Sequence, residues 1–270
     1  MLEFQEEAWY DTLESPKYSG SSLLVSCFLR VAGMVSPTAP INITVTGEPS
    51  SSPEHPTPKP AAILLHGLAS HPIAMGCIKR RMVQNGFDVF APAYPSMTAT
   101  VDQILDVIQS RLAPIPATAP LYFVTHSMGG LIARLLIERL NPPNLARVVM
   151  LAPPNHGTEY VDRFGHWALF RVIFGPATLE VGAAPHSLPH RLPPPTFESG
   201  IIAGCRALNP LSYWVLPKPN DGIVSVESTH LDGMADHIIV PYPHRVMLSV
   251  PAVIDQVVHF LRFQIYDWVA

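Results

Sequence analysis

Charge is scarce in this 270-residue chain: Asp, Glu, Lys and Arg make up 14% of it, against 48% hydrophobic residues. The 17 basic and 21 acidic side chains leave a net charge of −4 with no lysine- or arginine-rich run, so the electrostatic footprint of nucleic-acid binding is missing. Cysteine is sparse as well. Cys27, Cys77 and Cys205 lie far apart with no CxxC, which excludes a cysteine zinc knuckle, allows one disulfide at most, and leads us to expect reduced, buried thiols. Long apolar runs are absent: the best, residues 22–35, falls short of the about 18 residues that a membrane helix needs, and it contains Arg30. No transmembrane segment is expected. The chain opens MLEFQEEAWYDTLE, acidic where a secretory signal is basic, and the expected location is therefore cytoplasmic. No HExxH, clustered acids or histidine pair at ligand spacing occurs, so neither a metal nor another cofactor is expected. Nothing in the sequence identifies a partner protein.

Proline, by contrast, is abundant, with 30 residues in two clusters. The first, GEPSSSPEHPTPKP at 47–60, cannot form a helix or a central strand, because proline lacks the N–H and restricts its predecessor. It reads as a solvated connection that closes an N-terminal extension, residues 1–60. The second, PHSLPHRLPPP at 185–195, follows a segment at 160–174 that is apolar around most of its circumference. Together they read as a cap inserted near 159–197, with its helix largely covered.

Between and after these clusters, apolar runs at 61–65, 87–90, 121–125 and 148–151 have the composition of strands buried on both faces, and 200–204 and 237–240 read as further strands. Helical stripes fill the gaps. Val101, Ile104, Leu105, Ile108 and Leu112 follow a capping box at Thr100 and Gln103; Leu131, Ile132, Leu135, Leu136 and Leu140 form a second stripe; Pro251 opens a third through Ile254, Val257, Val258, Leu261 and Ile265. Strand and helix in alternation define an α/β domain over 61–270 with a mostly parallel central sheet and helices on both faces.

Chemistry concentrates in Thr125-His126-Ser127-Met128-Gly129-Gly130, between a strand and a helix. A serine in a tight strand-to-helix turn projects its hydroxyl above the sheet edge, provided the residues two before and two after are small. Gly129 satisfies this and Thr125 does so less well; a plain serine N-cap is the competing account. His126 reads as a packed or hydrogen-bonded histidine. Leu64-Leu65-His66-Gly67-Leu68 ends an earlier strand, and a sharp turn at Gly67 lets the amides of Leu68 and Met128 face one point as an oxyanion hole. An orienting acid and a base follow the serine in such architectures. Asp221, in Asn220-Asp221-Gly222, is favoured over Asp232 and Asp236. Of the later histidines, His244 follows a strand-like run, whereas His237 begins it and His259 lies on the last helix, so His244 is favoured.

LLHGLAS, THSMGG, LAPPNHGTE, FGPA, IIAGC, NDGIVSVEST and PYPHRVM, in this order, resemble the small bacterial α/β-hydrolases of the triacylglycerol esterase/lipase type. The resemblance spans residues 61–270; Thr125 departs from the usual glycine. It implies an α/β-hydrolase fold and carboxylic-ester hydrolysis, with Ser127 as nucleophile, Asp221 as acid, His244 as base, and Leu68 and Met128 as oxyanion donors. PPNHGT at 153–158 reads as a turn that launches the cap, with His156 a hydrogen-bonded loop residue. Trp167, Phe170 and Phe174 are expected to line an acyl site, and the expected partner is a small-molecule or lipid ester. An acyltransferase with the same acyl-enzyme and a non-catalytic binding protein on the same fold are the alternatives.

Overall fold

The computed structural model describes residues 58–112, 117–168 and 175–268. The N-terminal extension, up to residue 57, lies outside the described residues, as do Phe170 and Phe174. The strands are β1 (Ala61–Leu65), β2 (Asp88–Phe90), β3 (Leu121–His126), β4 (Leu145–Leu151), β5 (Ser199–Gly204) and β6 (Asp236–Val240). The helices are α1 (Gly76–Gln84), α2 (Val101–Arg111), α3 (Met128–Leu140), α4 (Glu159–Phe164), α5 (Pro176–Leu179), α6 (Leu188–Arg191), α7 (Ser212–Val215), α8 (Val226–Thr229) and α9 (Pro251–Phe263).

The strands pair in one sheet in the order β2-β1-β3-β4-β5-β6, every pair parallel. Alternate residues divide between two cores. Ile63, Leu65, Phe123, Met150 and Ile201 pack with the apolar stripes of α2 and α3. Leu64, Val124, Val149, Leu151 and Ile202 pack with those of α1 and α9. Polar alternation is missing from these strands because both faces are covered, as their composition requires.

The capping box at α2 forms: the Gln103 amide donates to Thr100 Oγ1 at 3.3 Å, and the Thr100 amide to Gln103 Oε1 at 3.0 Å. A cap contributes about 1 kcal/mol and each fully buried Leu or Ile about 1.5–3 kcal/mol, so the stripe decides that the helix exists and the cap decides where it begins. Asn141, left-handed at φ 41°, ends α3.

Two features depart from expectation. Cys77 is exposed on α1 and Cys205 only half-buried, because neither falls on a core-facing position. The cap segment does not run as one helix through its described part: α4 stops at Phe164, where the Gly165 amide donates to Val161 O at 2.7 Å, and Trp167 beyond it is 55% exposed, while residues 169–174 lie outside the described residues.

The chain adds β2 on one side of β1 and β3 on the other, so the crevice between the carboxyl ends of β1 and β3 is a topological switch point, where sheets of this kind hold their ligands.

Candidate active site

Ser127 turns the chain from β3 into α3 with φ 55° and ψ −131°. A non-glycine residue there carries about 1–3 kcal/mol of backbone strain. The surroundings enforce it: the Ser127 amide donates to Leu151 O at 2.8 Å and its carbonyl accepts from the Gly130 amide at 2.9 Å. Glycine is required beside it. A Cβ on Gly129 would lie 2.5 Å from Leu65 O and 2.8 Å from His66 O, so the first turn of α3 sits hard against the end of β1. A Cβ on Gly130 would lie 3.0 Å from Pro153 Cβ and 3.5 Å from Thr125 Oγ1. The space left at Gly130 admits the threonine where a smaller residue was expected, and Thr125 is fully buried.

The turn after β1 passes directly beside this elbow, since a Cβ on Gly67 would come within 2.9 Å of Ser127 Cβ. Ala69 adopts φ 48°, which completes the reversal. Both carbonyls of the turn are tied back: Tyr94 Oη donates to His66 O, and His66 Nδ1 donates to Gly67 O at 2.9 Å. The His66 and Tyr94 rings stack at 3.9 Å, with planes 8° apart. Burial holds His66 below the usual histidine range, so this brace is neutral. Among the described residues, the amides of Leu68 and Met128 have no hydrogen-bond partner. Met128 begins α3, where the helix dipole adds positive potential.

Asp221 and His244 come from the loops after β5 and β6. His244 Nδ1 donates to Asp221 Oδ2 at 2.7 Å, and both residues are buried. The other carboxylate oxygen, Oδ1, accepts the amides of Ile223 at 2.9 Å and Val224 at 2.8 Å. Gly204, at the end of β5, makes room for this turn: a Cβ there would lie 2.8 Å from Asp221 Cβ.

The His244 loop is linked to the serine elbow through His126. His126 Nε2 donates to the His244 carbonyl at 2.9 Å, and the two rings lie 4.6 Å apart. Asp221 and His244 are bonded to each other, the His244 loop reaches the serine elbow through His126, and the turn before Leu68 passes beside Ser127, which Met128 follows. The remaining candidates stand elsewhere. His237 lies within β6, bonded to Thr229 Oγ1 at 3.0 Å and stacked on His230. Asp236 accepts the amides of His237 and Tyr266, each at 2.7 Å. His259 donates to Ile265 O at 2.9 Å from α9, and the His156 amide to Ser228 O at 3.0 Å. Among the described residues, no three His, Cys, Asp or Glu side chains group to hold a metal, and no helix is long and apolar enough to cross a membrane.

Sequence reasoning missed Tyr94 and Gly204, and it read His126 as a packed or hydrogen-bonded histidine without its partner. Each makes a contact across the sheet edge that neither spacing nor composition encodes.

A groove of about 610 Å³ runs between α4 and α7, lined by Phe164, His166, Trp167, Leu211, Trp214 and Val215 with Arg163. Its start is anchored beside Asp221: Thr158 Oγ1, at the head of α4, donates to Ile223 O at 2.8 Å. Trp214 at the groove is 87% exposed.

No protein-family model and no curated protein matches the chain. Solved structures do. The mature form of lipase BlEst2 from Bacillus licheniformis matches with a TM-score of 0.62 at 18% identity, over 77% of this chain and 94% of that one. In its propeptide form the same enzyme matches at 0.65 and 17%, over 80% of this chain and 53% of that one. The metagenomic carboxyl esterase MGS0156 matches at 0.55 and 17%, over 79% and 70%. A structure of the metagenome-derived lipolytic enzymes LipS and LipT matches at 0.55 and 13%, over 76% and 94%. At these identities the likeness is one of fold, and the fold is that of the α/β-hydrolases.

Proposed function

We propose that the chain is a serine hydrolase of carboxylic esters with an apolar acyl or alcohol part. The observation that carries this reading is the buried hydrogen bond between His244 Nδ1 and Asp221 Oδ2, set at the same sheet edge as the strained turn of Ser127. With Nδ1 committed to the acid, the Nε2 of His244 is left as the basic nitrogen.

Ser127 Oγ attacks the ester carbonyl carbon, and its proton passes to His244 Nε2. The carbonyl π electrons move onto oxygen, where the free amides of Leu68 and Met128 hold the negative charge. Collapse breaks the bond to the alkoxy oxygen, which leaves as an alcohol with the proton from His244. The acyl group stays on Ser127. Water repeats the steps, giving up a proton to His244 and releasing the acid. Throughout, Asp221 fixes the tautomer and stabilises the imidazolium, its other oxygen held by two backbone amides. The lipolytic and esterase activities named for the structural neighbours support this reading, and the aromatic groove beyond α4 supports an apolar substrate.

A panel of p-nitrophenyl esters of rising acyl length tests it. The expected result is turnover by the wild type, a loss of about 10⁴ in His244→Ala, and retention of most activity in His237→Ala. Absence of turnover on every ester, or the reverse pattern of the two histidine variants, contradicts the proposal.

A further inference from the structure

His126 is buried at 3% exposure and ends β3, directly before the strained Ser127. Among the described residues its side chain makes one hydrogen bond, from Nε2 to the main-chain carbonyl of His244 at 2.9 Å; Nδ1 is buried and has no partner there. The main chain of His244 is therefore fixed on both sides, its amide donating to Asp221 O at 3.1 Å and its carbonyl accepting from His126. Asp221 sets the acid end of the imidazole. It does not set the distance from the imidazole to the serine, because Asp221 and His244 both rise on loops after β5 and β6, whereas Ser127 rises after β3. The bond from His126 spans that separation within one residue of Ser127.

We infer that His126 is a positioning residue that holds the His244 main chain against the Ser127 elbow, so that the base stands within reach of the nucleophile. The inference rests on the hydrolase reading above and adds to it how two separate loops are brought into register. Burial drives the His126 pKa well below the usual histidine value, so the ring stays neutral beside His244 and adds no positive charge next to a base that must itself become cationic. A second tie joins the same loop to the turn after β1, where Arg245 Nη2 donates to Ala69 O at 3.2 Å. That contact is exposed to solvent and competes with water, so the buried bond is the one that sets the distance.

The test compares His126→Phe and His126→Gln in the full chain. Phenylalanine keeps a planar ring of similar size and removes the donor. Glutamine places Nε2 the same number of bonds from Cβ as the histidine Nε2 and keeps the donor. Turnover of a p-nitrophenyl ester, the rate of labelling by a fluorophosphonate probe, and the fraction of folded protein by active-site titration are measured together. A base displaced by a fraction of an ångström to 1 Å is expected to cost about tenfold to 100-fold in kcat, with KM within about twofold of wild type. The expected result is that loss in His126→Phe, a parallel fall in its labelling rate per folded site, and recovery to within about threefold of wild type in His126→Gln. Three results overturn the inference: wild-type kcat in folded His126→Phe, a fall in activity matched by the fall in titratable sites, or an equal per-site loss in both variants. A wild type that neither labels nor turns over contradicts the hydrolase reading instead, and is distinguished from all three.

Discussion

Asp221 and His244 are joined twice, by the side-chain bond from Nδ1 to Oδ2 at 2.7 Å and by the bond from the His244 amide to the Asp221 carbonyl at 3.1 Å. The double link fixes both the imidazole and the backbone that carries it. Because its carboxylate also accepts two amides of its own turn, Asp221 shapes its loop while it orients the His244 imidazole.

Asp221→Asn separates those two tasks. The amide oxygen can still accept from the Ile223 and Val224 amides, so the turn and the melting temperature should change little. Facing His244, the carboxamide no longer stabilises an imidazolium, and kcat should fall by about 10⁴. A loss of activity in proportion to a loss of folded protein would make Asp221 a turn residue only.

The glycines differ sharply in what they tolerate. Gly129→Ala drives a methyl into the Leu65 and His66 carbonyls and should lower stability by about 1–3 kcal/mol, through overpacking against backbone that cannot swing aside. Gly76→Ala, with nothing within 4 Å and φ −61° at the start of α1, should be neutral or stabilising by about 0.4–1 kcal/mol. Urea midpoints of the two variants check the contrast.

Acid should destabilise the fold through its histidines before its carboxylates. Burial, followed by the neighbouring His230, pushes His237 down to about 4. The folded value therefore lies below the unfolded one near 6.5, so the native state binds fewer protons between those pH values. Stability from this group is present above about pH 6.5 and is lost as pH falls through about 4. His66 and His126, also lowered by burial, act in the same direction. His237→Gln should flatten the dependence of melting temperature on pH in that window. An unchanged slope would show that His237 titrates normally.

Chain-length preference should depend on the groove. Each acyl methylene that enters it contributes up to about 0.8 kcal/mol, roughly fourfold in kcat/KM, until the groove is full. Trp167→Ala combined with Trp214→Ala removes two exposed rings and should leave the melting temperature nearly unchanged. Hydrolysis of acetate esters should be kept while the gain with chain length is lost. Equal scaling on every ester would place the acyl site elsewhere.

The parallel sheet was legible because unbroken apolar runs, such as those of β1 and β4, have few ways to hide both faces. The ends of α2 and α9 were legible because Thr100, Gln103 and Pro251 act locally. Asp221 and His244 could be singled out because loops at the carboxyl ends of strands face one edge. What lay hidden were relations between distant segments: Tyr94 stacked on His66, Gly204 yielding space to Asp221, and His126 bonded to the His244 carbonyl. The break within the cap segment was hidden for a different reason. Its apolar residues suggested a covered helix, but Gly165 ends α4 and leaves Trp167 on the surface, where an apolar side chain has no partner that sequence could reveal.

Fluorophosphonate labelling followed by peptide mapping tests the central claim most directly. The account predicts a single covalent adduct per chain, on Ser127, formed by the wild type and absent from Ser127→Ala. An adduct on any other serine, or full esterase activity in Ser127→Ala, would contradict it.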